Sequence, residues 1–338
     1  MSSLIVPVTT IEALKPHPNA DRLELAQVLG WQLVVPRGQY QVGEKLVYFP
    51  IDTLLPLDVS ERFGVTKYLS KQRIRCARLR GEPSFGLAVQ PDQDWPIGEN
   101  VADFYGAVKY EPPVRVTAGD AERDHLLFVG YTDIENMRNF PVIFEPGEPV
   151  VLSEKVHGTQ CRVGSIEGEL MAGSKGLRRK RPLEDRFASN TYWFPFSLEP
   201  VLKLVEDLGS KHRQVILFGE VYGSKIQSFH YGLQGILGFR VFDLLLDGLY
   251  VDWLDFLKIC ASYTVETVPV LARLPFDLTK IRRYSEGKTL LMENDAHIRE
   301  GVVVRPEHER HDPTLGRVIL KYVSDSYLFG EKSDYTDV

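Results

Sequence analysis

Lys155, Glu220, Glu300 and Lys321 each stand in a short motif beside an apolar run. The motifs are Ser153-Glu154-Lys155-Val156-His157-Gly158-Thr159, Leu217-Phe218-Gly219-Glu220, Glu300-Gly301-Val302-Val303-Val304-Arg305-Pro306 and Leu320-Lys321-Tyr322-Val323-Ser324. A Lys-x-x-Gly alone is expected by chance about once in a chain of this size. The ordered set is harder to reach by accident, because every member is a strand with one charged group near its end. A lysine attacks phosphorus only when neutral. With a free pKa near 10.4, that demands about 3 pH units, or about 4 kcal/mol, at neutral pH. Burial at a strand end and neighbouring cations can supply it. Gly158 is expected to leave room for a triphosphate beside the backbone. Magnesium bridges phosphate oxygens with few protein carboxylates, so Glu220 and Glu300 suffice as acidic partners, and Lys321 would steady a phosphate. The chemistry is nucleotide transfer onto a lysine.

Singly, each residue has a plainer reading. Lys155 could be a solvated strand-end lysine, Glu220 and Glu300 surface carboxylates, Phe239 a core aromatic and His157 a structural imidazole. Their order along one chain is what favours a shared pocket.

The elements that must position these groups fall into two parts. Residues 1–118 read as short strands (Leu23–Leu29, Gln32–Val35, Lys45–Phe49, Arg73–Leu79, Ser84–Val89) punctuated by proline and glycine, which suits a small β-barrel of the OB type. Another small β-sandwich is the alternative. Polar residues 110–124 read as a linker. Residues 119–338 mix strands and helices in an antiparallel α+β domain. Strands are expected at Val150–Val156, Thr159–Ile166, Leu170–Ser174, Val215–Tyr222, Phe239–Leu246, Gly301–Arg305 and Arg317–Val323. Helices are expected at Pro200–Gly209 and near 252–262, with tight turns at Glu167-Gly168 and Asp247-Gly248.

The 338 residues are 43% hydrophobic and 25% charged, enough for two cores. No run of about 18 apolar residues is present and no signal peptide is apparent. Cys76, Cys161 and Cys260 are widely spaced, which fits free thiols in a reducing, cytoplasmic setting and neither a disulfide framework nor a zinc site. Net charge is −6, so any nucleic-acid contact must come from local patches. Two candidates stand out. Lys67, Lys71, Arg73, Arg75, Arg78 and Arg80 fall together without an intervening acid, and Arg178 and Arg179 belong to the run Arg178–Arg181.

The motif set resembles ATP-dependent RNA ligases of the covalent nucleotidyltransferase superfamily over residues 125–330. Glu-Lys-Val-His-Gly-Thr is closer to the nucleophile motif of nick-sealing RNA ligases than to the Lys-x-Asp-Gly of DNA ligases. Phe-Gly-Glu, Gly238-Phe239-Arg240-Val241-Phe242-Asp243 and Glu-Gly-Val-Val-Val-Arg-Pro follow in the family's order. The resemblance implies that Lys155 carries AMP, the Glu154 backbone reads the adenine amino group, and Phe239 stacks on adenine. It further implies that Glu220 binds ribose, that Glu300 holds a magnesium or manganese ion through water with Glu220 nearby, and that Lys321 meets the α-phosphate. Gly158, Gln160 and Lys175 complete the ATP site. Three positions depart from the pattern: Lys175 stands for an arginine, Gln160 for an asparagine, and Val323 for the second lysine of Lys-x-Lys. A lysine lacks arginine's bidentate fork. Tyr322 or a basic residue elsewhere is expected to compensate for Val323.

His17-Pro18-Asn19-Ala20-Asp21-Arg22-Leu23 and Leu79-Arg80-Gly81-Glu82-Pro83-Ser84-Phe85-Gly86-Leu87 resemble OB-type tRNA-binding modules. Such a module ahead of the core resembles the Deinococcus-type RNA ligases in particular. The implied activity joins 5′-phosphate to 3′-hydroxyl ends, at nicks in duplexes whose 3′-hydroxyl strand is RNA, in a monomer. The alternatives are a DNA ligase, a guanylyltransferase, or a nucleic-acid-binding protein with a relic pocket.

Overall fold

The computed structural model describes residues 3–112, 119–223, 226–294, 296–330 and 333. Part of the expected linker, residues 113–118, lies outside the described residues. The chain divides into two compact units. One takes in Ser2–Pro112, Glu135–Val142 and Leu328–Val338; the other takes in Pro113–Ile134 and Ile143–Tyr327. No described helix is long and apolar enough to cross a membrane.

The first unit is built from β1 (Val8–Thr10), β2 (Ala13–Pro16), β3 (Leu23–Val28), β4 (Trp31–Pro36), β5 (Lys45–Phe49), β6 (Cys76–Leu79), β7 (Glu82–Phe85) and β8 (Leu87–Val89). Among the described residues these form three antiparallel sheets, β1-β5-β8, β2-β3-β4 and β6-β7, with no closed ladder. Leu29 and Gly30, both at positive φ, turn β3 back into β4. Ala26, Val28, Trp31, Leu33 and Val35 then fall inward on alternate positions. The expected strand over Ser84–Val89 is broken at Gly86, whose φ is +119° and where a Cβ would sit 2.6 Å from the Phe49 carbonyl oxygen. Only glycine allows that approach. A short helix, α1 (Leu57–Arg62), was not evident from the sequence because it is too brief to show a period.

The second unit carries β9 (Pro149–Glu154), β10 (Thr159–Ile166), β11 (Glu169–Ser174), β12 (Gln214–Tyr222), β13 (Gly238–Leu246), β14 (Val270–Pro275), β15 (Gly301–Pro306) and β16 (Leu320–Val323). In one antiparallel sheet the order is β11-β10-β12-β13; in a second, β16, β15, β9 and β14 are neighbours in that order. Phe218, Ile216, Met171 and Leu245 of the first sheet pack with Val303 of the second and with Ile319, just before β16. Helices α2 (Glu199–Gly209), α3 (Trp253–Ser262) and α4 (Leu278–Ser285) complete the unit. In α2, Val201, Leu204 and Val205 make the buried stripe that the sequence spacing predicts. β14 and α4 escape sequence reading, because β14 is half exposed and α4 is largely polar.

Asp243 of β13 is fully buried and held by a charged cluster. Arg317 Nη2 lies 2.7 Å away and Arg305 Nη1 3.3 Å, while Tyr131 Oη donates at 2.6 Å. Glu309 accepts from both arginines, so two acids balance two guanidinium groups. Burial alone would raise the Asp243 pKa; Arg305 and Arg317 outweigh it and hold the carboxyl below its ordinary range. Removing one member leaves buried charge uncompensated. Asp243→Ala is therefore expected to cost about 3–5 kcal/mol in urea denaturation. A loss under about 1 kcal/mol, the scale of an exposed pair, would show that the cluster does not hold the two sheets together.

Candidate active site

A cavity of about 240 Å³ opens in the second unit, and Glu154, Lys155, Gln160, Lys175, Glu220 and Lys321 all line it. The register of β9 against β15 explains the grouping. Glu154 pairs with Val302, and the Lys155 N–H donates to the Gly301 carbonyl at 3.0 Å. Lys155 thus leaves the end of β9 beside the residue that opens β15. Its Nζ lies 2.7 Å from Glu300 Oε1. Gly301 is needed there, since a Cβ would sit 2.3 Å from the Tyr322 carbonyl oxygen and force β16 away. Lys321 enters from β16, opposite Val303. Its amine has no hydrogen bond or ion pair among the described residues.

Glu300 is buried, and its second oxygen is 3.1 Å from His157 Nδ1. Burial pushes its pKa up, but Lys155 and His157 more than offset that and leave it below the usual range. His157 is itself fixed. Nε2 meets Ser228 Oγ at 3.2 Å, the backbone N–H donates to Tyr231 Oη at 2.7 Å, and the ring lies against Phe229 and Tyr327. The structural reading of His157 holds, with a consequence for the site: it orients the carboxylate that holds Lys155.

Glu220 stands on β12 opposite Gln160. Burial, and secondarily the neighbouring Glu300 carboxylate, push its pKa up to about 8; Lys155 and the Gly158 N–H pull the other way. Gly158 does not line the cavity, contrary to expectation. A Cβ there would lie 2.3 Å from the Val221 carbonyl oxygen and 2.9 Å from Glu220 Cγ. Its bare Cα lets the Lys155 loop lie against β12 and so sets Glu220 in place. Phe239 is a second correction. It is buried on the face of β13 shared with Gly219, where a Cβ would meet its ring at 2.4 Å, and it does not touch the cavity. The ladder between β12 and β13 slips between Phe218 and Gly219, leaving Phe242 as the extra residue. Three residues from Phe239, Phe242 falls on the opposite face by alternation and lines the cavity, and the bulge brings Asp243 and Leu245, paired with Phe218 and Ile216, to that face as well.

The remaining expectations divide. The Glu154 side chain is buried, accepting hydrogen bonds from the Thr289 hydroxyl and the Leu290 N–H, with Arg299 Nε at 3.7 Å. Burial raises its pKa against those three partners. Lys175 reaches the cavity while paired with Asp133. Tyr322 is buried and off the cavity, on the face opposite Lys321, so it does not replace the missing second lysine. The two basic clusters fare differently. Arg179 is buried against Asp120, and Arg178 is shared by Glu122 and Glu169, so neither presents an open cation. Glu122 and Asp120 lie far back along the chain and Glu169 on the neighbouring strand β11, so sequence proximity did not reveal these pairings. In the first unit Arg73 is tied to Asp52 and lies over Tyr110. Arg75 is partly buried, while Lys67, Lys71, Arg78 and Arg80 are exposed.

The Glu220 shift has a definite sign. From about pH 4.5 to about 8 the folded chain holds a proton on Glu220 that the unfolded chain has lost. Stability therefore falls as pH rises through that window. Glu220→Gln removes this contribution, so the variant should gain on the unsubstituted protein between pH 5 and 8.5 in metal-free urea denaturation. Parallel pH profiles for the two proteins would contradict the placement of Glu220.

A sequence model of the RNA ligase family matches residues 148–323, and one for an OB-fold domain matches residues 5–91. No curated protein matches the chain. Among solved structures it is similar to a lysine-to-alanine variant of Naegleria gruberi RNA ligase with ATP and manganese, at 23% identity and a TM-score of 0.71 over 96% of this chain and 98% of the other. A lysine-to-methionine variant with AMP and manganese gives 24% and 0.71 over the same shares. The Naegleria ligase with pyrophosphate gives 24% and 0.68, over 96% and 97%. These likenesses establish the fold. The family match spans more than half of the chain and takes in the strands that carry Lys155, Glu220, Glu300 and Lys321; this chain belongs to the RNA ligase family.

Proposed function

We propose that the chain is an ATP-dependent RNA ligase that joins 5′-phosphate to 3′-hydroxyl ends through a lysyl-AMP. The observation that carries this reading is the Lys155 amine, 2.7 Å from the buried Glu300 carboxylate, lining a cavity with Lys321, whose amine has no ion pair among the described residues. In the first step Lys155 Nζ bonds to the α-phosphorus of ATP as the bond to the β-phosphate oxygen breaks and pyrophosphate leaves. An oxygen of the RNA 5′-phosphate then displaces Lys155 and takes the AMP. The 3′-hydroxyl finally attacks the phosphorus of the RNA 5′-phosphate, forming the new phosphodiester as that phosphorus loses its bond to the AMP oxygen and AMP departs. Chemistry of this kind depends on position and charge more than on covalent help from the protein.

Each side chain has a part in this. The ion pair with Glu300 keeps Lys155 aimed but favours its ammonium form. Drawing the Glu300 oxygens elsewhere releases the amine to lose its proton. Lys321 takes charge on the α-phosphate. Gln160 and Lys175 meet the sugar and phosphates, and Phe242 and Val303, which both line the cavity, offer apolar surface to the base. Glu300 and Glu220 fit a divalent cation, because burial first and the neighbouring carboxylate second raise the Glu220 pKa, and shared positive charge would stabilise both ionised groups. Bound magnesium or manganese would neutralise phosphate oxygens and strip Glu300 from the lysine. The named ligands of the Naegleria structures, ATP, AMP, manganese and pyrophosphate, are those such a cycle needs. The exposed Lys67, Lys71, Arg78 and Arg80 supply phosphate contacts to a nicked duplex, bound by a monomer.

Two measurements test this. With α-labelled ATP and manganese, label should survive denaturation of the protein; GTP should give little, and Lys155→Ala none. Persistent label in that variant would remove Lys155 from its role. On nicked duplexes, replacing the ribose at the 3′-hydroxyl end by deoxyribose should slow sealing by at least tenfold. Equal sealing would make the substrate assignment wrong.

A further inference from the structure

In the first unit, residues 64–81 hold six cations and no acid. Tyr68 stands among them with 69% of its surface exposed, more than any other aromatic residue among those described. Its neighbours fix it there. A turn of 3₁₀ helix over Thr66–Tyr68 is tied to α1 by the Thr66 and Ser60 hydroxyls, 2.9 Å apart, and Leu69 packs against the core of the unit. Residues 70–73 then form a tight turn, closed by the Arg73 N–H donating to the Ser70 carbonyl at 3.1 Å. At its tip Lys71 and Gln72 have φ of +53° and +61°. Residues other than glycine hold that left-handed backbone where their surroundings impose it. Here Arg73 is bound to Asp52 and lies over Tyr110, the Leu55 N–H donates to the Gln72 carbonyl at 3.0 Å, and Ile74 is buried. The strained tip leaves Lys71 exposed, and the exposed Lys67 places its Nζ 5.0 Å from the centre of the Tyr68 ring. Neither ammonium has an ion pair among the described residues.

We infer that Tyr68 is a stacking platform for an unpaired base of RNA, with Lys67 and Lys71 taking the adjoining phosphates. This rests on the reading of RNA as the substrate and adds a base contact to phosphate contacts, which are blind to pairing. An exposed ring on an anchored turn offers its surface at little conformational cost, and any base can stack on it. A base inside a duplex has both faces covered by its neighbours, so the occupant is a single-stranded segment. Three residues of extended chain span at most about 11 Å, so the ring and the two lysines engage neighbouring nucleotides. An acidic peptide would satisfy the lysines and leave the ring without a flat partner.

The test is fluorescence anisotropy of the full chain, without ATP, on a short labelled single-stranded RNA and on a blunt RNA duplex of the same sequence. Tyr68→Ala should weaken single-strand binding about tenfold, the scale of one stacked base, and weaken duplex binding far less. Tyr68→Phe keeps the ring and should bind like the unsubstituted protein. Replacing Lys67 and Lys71 together by alanine should flatten the dependence of log affinity on log salt by about 1.4, at about 0.7 per phosphate contact, whereas Tyr68→Ala should leave that slope unchanged. Single-strand binding by Tyr68→Ala within about twofold of the unsubstituted protein would overturn the inference. So would an equal loss on the duplex, an equal loss from Tyr68→Phe, or no single-strand binding by the unsubstituted protein. Should the alanine variant not fold, photo-crosslinking of the unsubstituted protein decides. Single-stranded RNA carrying 4-thiouridine should attach to the peptide that contains Tyr68, and attachment only elsewhere refutes the proposal. Absence of lysine labelling by any nucleotide, in contrast, would fail the ligase reading and leave these binding measurements to stand on their own.

Discussion

The ion pair between Lys155 and Glu300 is the contact on which the rest of the site depends. It forms across two neighbouring strands, where β9 ends and β15 begins. The residues just before each partner repeat the pairing in the opposite sense, with Glu154 beside Arg299. Arg299 also donates to the carbonyls of Tyr284 and Lys288, which ties the end of α4 and the residues after it to the same strand end. A lysine held this way loses little conformational freedom on reaction, which is much of what positioning contributes to rate.

Close backbone approach makes the pair possible. Gly158 lets the loop after Lys155 lie on β12, and Gly301 lets β15 lie on β16. Either glycine replaced by a larger residue would push a charged side chain out of register. The motif glycines thus act through the packing of strands, and the ligand gains a cavity whose charged walls are already set. His157 belongs to the same arrangement, locking Glu300 from the side that faces away from Lys155.

Charge is distributed unevenly over the second unit. Arg162, Arg178, Arg179 and Arg181 are each matched to a carboxylate, and Arg305 and Arg317 are enclosed with Asp243 and Glu309. Lys321 stands outside these pairings. A basic run in a sequence therefore says little about an open basic surface, because folding brings acids to it from both near and distant segments. An isolated lysine in a cavity says more.

Much of this protein was legible in its sequence. The strands that carry the motifs, the helices α2 and α3, and the turns at Glu167-Gly168 and Asp247-Gly248 follow from periodicity and turn chemistry, which are local. The grouping of Lys155, Glu220, Glu300 and Lys321 followed from motif order. Tertiary structure alone decided which face of β13 meets the cavity, and so that Phe242 and not Phe239, three residues away on the opposite face, lines it. It alone showed that Arg178 and Arg179 are spoken for and that Gly158 serves strand packing. Each of these depends on contacts between residues far apart in the chain, and spacing along a sequence carries no record of distance across a fold.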